Sequence, residues 1–397
     1  MVTSFYFYSL RKTPSGWFRC PGLLLHDLET FPKHAELRTL SLDRSDMRCT
    51  LQLCQGAKDV ARARLQSVRE LKLECCTINE GSGSLLPPLF PQLEALRLND
   101  CQITRSFLSE LAPLANLRCL DVQLMSCGRP GIDSHNFVEE VQAEINNVAT
   151  LTNLQGLSLN YDIEEIDVGS LVGLQHLREL SLACFTPVNL HLVLASVPLR
   201  SLCFESVELP WGERYASSTL QTIFWDFLDG ALPLNVQDFP SLQVFQFGGV
   251  AVGSGFDSWQ PFEEKVAEIR KLAAWAQTIP SRACGHRSGA FLLSGSSSLH
   301  AAQVTILLRE LLPMRSLAFD VGCVCLEALD LNRDGWSLLA DLIRGLQLSQ
   351  HPFPSLCLGF LMESKVVEAE ACVREVMPYI SRVVAGSEPT QTTYLDT

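Results

Sequence analysis

Apolar and polar positions alternate in short bursts along the chain, and the bursts share one frame. Leu93, Leu96, Leu98, Cys101 and Ile103 fill the pattern L-x-x-L-x-L-x-x-C-x-I, and related frames open at Leu37, Val68, Leu117, Leu154, Leu177, Leu199, Leu220 and Leu242. Places four and six of the frame (Leu71 and Leu73, Leu96 and Leu98, Leu157 and Leu159, Leu180 and Leu182, Phe245 and Phe247) alternate with polar neighbours. A period of two predicts a half-buried strand. A strand this short cannot bury its apolar face alone, so it must stack in parallel on the strands before and after it. From Val68 onward the openings lie 21 to 25 residues apart, except for 37 between Leu117 and Leu154. Self-similarity at this period predicts a solenoid grown coil by coil.

The widened coil predicts one added helix. Asn136 and Glu139 suit a capping box, and Phe137, Val141, Ile145 (or Glu144), Val148 and Leu151 follow helical spacing. Glu139, Glu140 and Glu144 are expected to point to solvent. Residues 1–36 lack the frame and read as an N-terminal cap over the repeats of 37–252. After Val252 the rhythm breaks. Residues 253–313 read as an irregular helical insertion, with a helix beginning at Pro261, a loose stretch over 281–298 and a second helix over 299–312. Residues 314–386 read as C-terminal repeat-like coils closed by a helix near 364–377. Two incompatible frames compete there, one through Met314, Leu317 and Phe319 and one through Leu326, Leu329 and Leu331. The polar end from Ser387, residues 387–397, reads as a disordered tail.

On these residues the stretch from Leu37 to Val252 resembles a leucine-rich repeat protein. The resemblance implies an α/β leucine-rich repeat solenoid: a curved parallel strand ladder on a concave face, with helices and loops on the convex face. LEALRLNDCQITRSFLSELAPLANLRCLDV also resembles the cysteine-containing repeats of F-box proteins. Only Cys76 and Cys101 hold the ninth-place cysteine; Ser45, Met125, Asp162, Phe185, Val207, Leu228 and Val250 stand there in the other coils. Phe353, Leu356 and Leu358 follow Leu326 by 27 residues, and that longer coil, with LLADLIRGL as its helix, resembles the ribonuclease-inhibitor repeat type.

Charge narrows the partners. Lysine and arginine number 31 against 44 aspartates and glutamates, a net charge of −13, and no basic run exceeds two residues, so a phosphate backbone is repelled and nucleic acid is an unsuitable partner. Fifteen cysteines, an odd total scattered through strands, read as reduced intracellular thiols. No signal-peptide order or membrane-length apolar run is seen, which predicts a cytoplasmic protein without membrane insertion.

Chemistry is sparse. Cys323 with Cys325, and Cys284 with His286, lack a second ligand pair, so no metal is expected. GSGS at 81–84 and GSG at 253–255 do not continue into a phosphate-binding loop, so no cofactor is expected and the glycines read as turns. No nucleophile–base–acid set can be assigned, which points away from an enzyme. Interaction remains. Places three, five and seven project from the open side of the sheet. Place two is arginine in five of nine coils, and place seven is mostly acidic or amide. Tyr161 and Phe227 at place eight and Phe224 at place five read as exposed anchors, with Arg178 and Arg200 as the orienting rim. The expectation is a non-catalytic scaffold or adaptor binding a protein partner on the concave face. The alternatives are a substrate-recognition subunit of a ubiquitin ligase lacking its own F-box and, more remotely, an enzyme using the irregular 253–325 region.

Overall fold

The computed structural model describes residues 2–7, 11–13, 16–18, 36–43, 52, 55, 59–103, 106–124, 134–161, 163–228, 232–252, 261–278, 288–294, 301–313, 320–327, 331, 333–346, 355–359 and 383–386. They fall into two compact units, 1–218 and 219–397.

The first unit is built on a parallel ladder of eight described strands: β1 (Val2–Phe7), β2 (Glu36–Asp43), β3 (Glu70–Glu74), β4 (Ala95–Asn99), β5 (Cys119–Leu124), β6 (Gly156–Tyr161), β7 (Glu179–Ala183) and β8 (Ser201–Glu205). Register follows the sequence frame without slippage from β2 onward. Leu40, Leu71, Leu96, Leu120, Leu157, Leu180 and Leu202 form the place-four column. All seven are 3% exposed or less. Each is covered by the leucines of neighbouring coils, so the core runs along the ladder rather than around a centre. Residues 1–36, expected as a cap, contribute β1, which pairs in parallel with β2, and a small antiparallel pair, Arg11–Thr13 with Gly16–Phe18.

Coils are tied together at three further points. The place-two N–H donates to the place-two carbonyl of the preceding coil, as in Arg69 N to Arg38 O at 2.8 Å and Arg200 N to Arg178 O at 2.7 Å. Asn116 and Asn153, each just ahead of a frame, donate through Nδ2 to Pro91 O and Ala115 O of the coil before. At place eight Cys75, Asp100, Cys184 and Ser206 adopt left-handed backbone with φ of 51° to 65°. Three of these donate their N–H forward, to the place-seven carbonyls Asn99, Gln123 and Glu205. The left-handed residue reverses the alternation, so place nine turns inward: Cys76, Cys101, Phe185 and Val207 are all buried.

The ninth-place cysteines are structural. The Cys76 thiol donates to Leu42 O at 3.4 Å and the Cys101 thiol to Leu73 O at 3.3 Å, each crossing to the coil before. Their mutual hydrogen bonding and burial push the Cys101 thiol far up from its ordinary range.

Convex segments are short in most coils. They include α1 (Asp59–Gln66), the single turn α2 (Phe107–Glu110) and α4 (Leu190–Ser196); the widened coil carries the expected helix, α3 (Ser134–Val148). Val141, Ile145, Val148 and Leu151 are buried as the spacing predicts. Glu144, expected in water, is only 4% exposed. The correction is geometric: at 100° per residue, position 144 lies about 60° from 141 and about 40° from 148, on the flank of the same face.

The second unit has a ladder of six described strands: β9 (Thr222–Leu228), β10 (Val244–Val252), β11 (Ser288–Ser294), β12 (Asp320–Glu327), β13 (Ser355–Gly359) and β14 (Val383–Gly386). Helices α5 (Phe262–Ala276), α6 (Ala301–Leu311) and α7 (Arg333–Leu346) alternate with them. Segment 253–313 is therefore not an irregular insertion. It holds a ladder strand, β11, paired with β10 on one side and β12 on the other. Its sequence, SGAFLLS, lacks the leucine frame that marks the earlier strands. The competing frame through Met314, Leu317 and Phe319 and the Leu329 of the other lie outside the described residues; in β12 Val324 and Leu326 stand opposite Leu356 and Leu358, so Leu326 takes place six of a frame that opens at Val321. α5 packs on the core side of the ladder, where Trp275 meets Phe245 edge-on at 6.0 Å and donates to Leu234 O. α5 and α6 are clamped by Arg270 and Glu310 through two hydrogen bonds of 2.8 and 2.9 Å. The closing helix expected near 364–377, the loops at 253–255 and 284–286, and the tail 387–397 lie outside the described residues.

The frame, the in-register parallel ladder and the short coil period together define a leucine-rich repeat solenoid of α/β class.

Candidate functional site: the open face of the strand ladder

Places three, five and seven carry side chains away from the leucine core. From β3 to β8 these residues are half-buried or exposed, apart from the buried Ala183. Neighbouring strands in a ladder lie about 4.8 Å apart. The face therefore presents closely spaced rows in which side chains of successive coils meet.

At its first coils the rows are charge-paired. The Glu70 carboxylate accepts from Thr39 Oγ1 at 3.2 Å and pairs with Arg97 Nε at 3.1 Å and Lys72 Nζ at 3.6 Å, joining β2, β3 and β4. Such half-exposed pairs contribute about 0–1 kcal/mol each. Their greater effect is to fix where charge stands. From β5 to β8 the same places hold Asp121, Glu179 and Glu205 and no lysine or arginine. Small residues, Gly156, Ser158, Ser181, Ala183 and Ser201, lie among them. A Cβ added at Gly156 would stand 3.5 Å from Cys119 Sγ and 3.9 Å from Glu179 Oε2, ordinary contact distances. Glycine thus leaves a recess that a side chain from outside could fill. Burial, then the Glu179 carboxylate, pushes the exposed-edge Cys119 thiol up and keeps it protonated.

The five expected contact residues fare differently. Arg178 and Arg200 occupy the place-two column. Arg178 is half-buried, with Nη1 donating to Gln175 O and Leu177 O of its own turn, whereas Arg200 is exposed. Phe224 sits on β9 of the second unit and is half-buried. The side chain of Phe227, also on β9, lies outside the described residues. Tyr161 is a correction: it is fully buried. Its coil has no left-handed residue at place eight, so the alternation continues and the tyrosine enters the inward slot that place nine fills elsewhere. Its ring lies 6.4 Å from that of Phe185, one such place-nine residue.

Sequence reasoning missed Trp211, which is 71% exposed. It stands on the loop after β8, held by Tyr215 Oη donating to Pro210 O at 3.1 Å and by a 2.9 Å contact of His191 Nδ1 with Glu213 Oε2. Gly212 takes the positive φ of 93° that the turn requires. The Pro-Trp-Gly order in LPWGER was the available signal, a turn that presents an indole.

The GSGS turn does cradle an anion, and it is the protein's own. Gly81 N and Ser84 N donate to the Glu110 carboxylate at 3.2 and 3.1 Å, and Ser106 Oγ donates at 2.8 Å. Among the described residues no cluster of three metal-type side chains gathers, and no helix is long and apolar enough to cross a membrane.

No protein-family description matches the chain, and no curated protein matches it in sequence. Among solved structures it is similar to the internalin InlF of Listeria monocytogenes, at 14% identity and a TM-score of 0.34, over 79% of this chain and 86% of that one. It is also similar to a leucine-rich repeat protein of Leptospira interrogans, at 13% identity and a TM-score of 0.30, over 87% of this chain and all of the other. The fold assignment rests on the ladder itself.

Proposed function

We propose that the chain is a non-catalytic interaction scaffold that receives a protein segment across the open face of its first unit. The observation that carries this reading is the recess at Gly156, set among small residues and edged by Cys119 and Glu179, with Glu205 four residues along β8 from its row. A solvent-facing sheet that only had to remain soluble gains nothing from glycine, which weakens a strand by its entropy. The acidic half of the face favours a segment bearing lysine or arginine, and complementary charge chiefly raises the association rate. Trp211 is a further anchor on the same unit, since exposed aromatics supply much of the energy of protein interfaces. Arg178 and Arg200 at the rim, and Phe224 on the second unit, are proposed contacts of the same kind. An intracellular, cytoplasmic setting fits the fifteen cysteines.

A second reading, the substrate-recognition part of a ubiquitin ligase, draws on the cysteine-type coils at Cys76 and Cys101. Co-purification with a ligase adaptor would favour it.

The test is affinity capture with the parent, Gly156→Arg, the pair Glu179→Lys with Glu205→Lys, Trp211→Ala, and a control on α3, Glu139→Lys. Partners lost with the face variants and kept with the control support the proposal. Identical capture by all folded variants overturns it.

A further inference from the structure

Among the described residues of the first unit, Ser82, Glu144, Tyr161 and Ser170 carry buried side-chain oxygens without a hydrogen-bond partner in the protein, and the two large ones stand together. Both oxygens of Glu144, on α3, and the hydroxyl of Tyr161, at the end of β6, are in this state. Glu144 is 4% exposed and Tyr161 is fully buried. They arise where two consecutive coils depart from the repeat. The coil opening at Leu117 is long enough to carry α3, and the strand of the next coil, β6, runs on to Tyr161 instead of turning left-handed at place eight. The hydroxyl thereby lies in the interior, within the electrostatic reach of Glu144.

Among the described residues, the elements packed against α3 offer Glu144 little compensation, the Leu108 backbone of α2 alone favouring its ionised form. α2 contributes Glu110, whose carboxylate is committed to the Gly81–Ser84 turn. The turn Gly169–Gly173 has no titratable group. The strand Glu165–Asp167 carries Glu165 and Asp167, both exposed, with Asp167 Oδ1 accepting from Gly169 N and Asn189 Nδ2. β6 offers Tyr161, and α3 itself adds Glu140. Among the described residues none of these elements supplies a lysine or arginine, and the one histidine, His135, stands in the first turn of α3 itself. What holds α3 in place is apolar burial of Val141, Ile145 and Val148, together with Gln142, whose amide bridges the Asp167 backbone at 2.8 and 2.9 Å.

We propose that α3 is a pH-released clasp: it seats on the ladder while Glu144 is protonated, and ionisation of Glu144 drives it off, uncovering the apolar strip beneath. An ionised carboxylate without a partner cannot remain in such a site, so it must reach water or take up a proton. Burial pushes the Glu144 carboxyl up to about 8; the Leu108 backbone, the next largest influence, acts against it, and Glu110 and Glu140 add to the rise. The sign follows from linkage. The lifted helix holds an ordinary carboxyl that ionises near 4.5, so between that pH and about 8 the lifted state gains tenfold for each pH unit. Below this window the clasp stays closed, and above it the gain levels off.

Hydrogen exchange of the 134–148 peptide, corrected for the intrinsic base-catalysed rate and referenced to the 70–99 peptide, tests the proposal. Between pH 6 and pH 9 the protection of α3 should fall about a hundredfold in the parent, while the reference falls by less than threefold. Glu144→Gln should remove the fall. Glu144→Leu, which also lacks the charge, provides the same reading if the glutamine variant folds poorly. Tyr161→Phe should keep the fall, because the titrating group remains. An unchanged parent between the two pH values, or an equal fall in either uncharged variant, overturns the proposal.

Discussion

Replacing Gly83 by alanine separates a glycine required by its neighbours from one that merely ends a turn. A Cβ at Gly83 would lie 2.6 Å from Glu110 Cβ, 2.9 Å from Glu110 Oε2 and 2.9 Å from Phe107 O. Carbon atoms pack best at about 3.5–4.0 Å, so α2 must move by about 1 Å relative to the turn. Two of the obstructing atoms belong to α2 at or next to the backbone, so a rotamer change cannot relieve them. Overpacking alone costs about 1–3 kcal/mol. The shift also pulls the Glu110 carboxylate from Gly81 N and Ser84 N, and hydrogen bonds to charged groups contribute about 1.5–3 kcal/mol each, less where water replaces them. The expected loss is about 2–4 kcal/mol. Gly173 is the control: the nearest atom to its Cβ would be Ala149 O at 3.9 Å, so alanine there should be neutral or stabilise by up to about 1 kcal/mol. Urea denaturation, with midpoint and slope both fitted, reads the difference. Glu110→Ala should not rescue Gly83→Ala, because Phe107 O still obstructs. If Gly83→Ala falls within about 0.5 kcal/mol of the parent, the account of this turn is wrong.

Leu98→Ala should cost about 2–5 kcal/mol in the same assay, since Leu98 is fully buried in the place-six column and the core cannot collapse around one coil. At place eight, Ser206→Gly should be neutral or slightly stabilising and Ser206→Val destabilising by about 1–2 kcal/mol, because only glycine adopts φ of 51° without strain; equal stability of the two variants would refute the left-handed turn. Thiol titration of the denatured, unreduced protein should find nearly all fifteen cysteines free, and several defined disulfides would overturn the intracellular reading.

The frame made the first ladder legible residue by residue because apolar burial at period two leaves a direct imprint on sequence. Leu71, Leu96, Leu157 and Leu180 stand where their places put them. β11 escaped notice because its places four and six hold Phe291 and Leu293 while Ser288 stands where the frame expects its opening leucine, and a register shift between Gly289 and Ala290 breaks the count. Tyr161 and Glu144 were misread for a shared reason. Whether place eight faces in or out depends on the sign of one φ angle, and whether Glu144 points out depends on where a helix is rolled. Neither is written in residue type. The candidate face was legible as columns of side chains, but the Gly156 recess and the Glu110 cradle emerge only when neighbouring coils are set side by side.

The forward-pointing bond at place eight gives the array a direction in time. Cys75, Asp100 and Cys184 each donate to a carbonyl that belongs to the following coil. As the chain leaves the ribosome N-terminus first, the acceptor for each new turn has not yet been made. The newest coil is therefore always unfinished, and ordered structure trails synthesis by one repeat. A stop at any coil leaves a final turn whose N–H has only water to answer it. Loss of coils from the start of the array removes no such acceptor from the coils that remain.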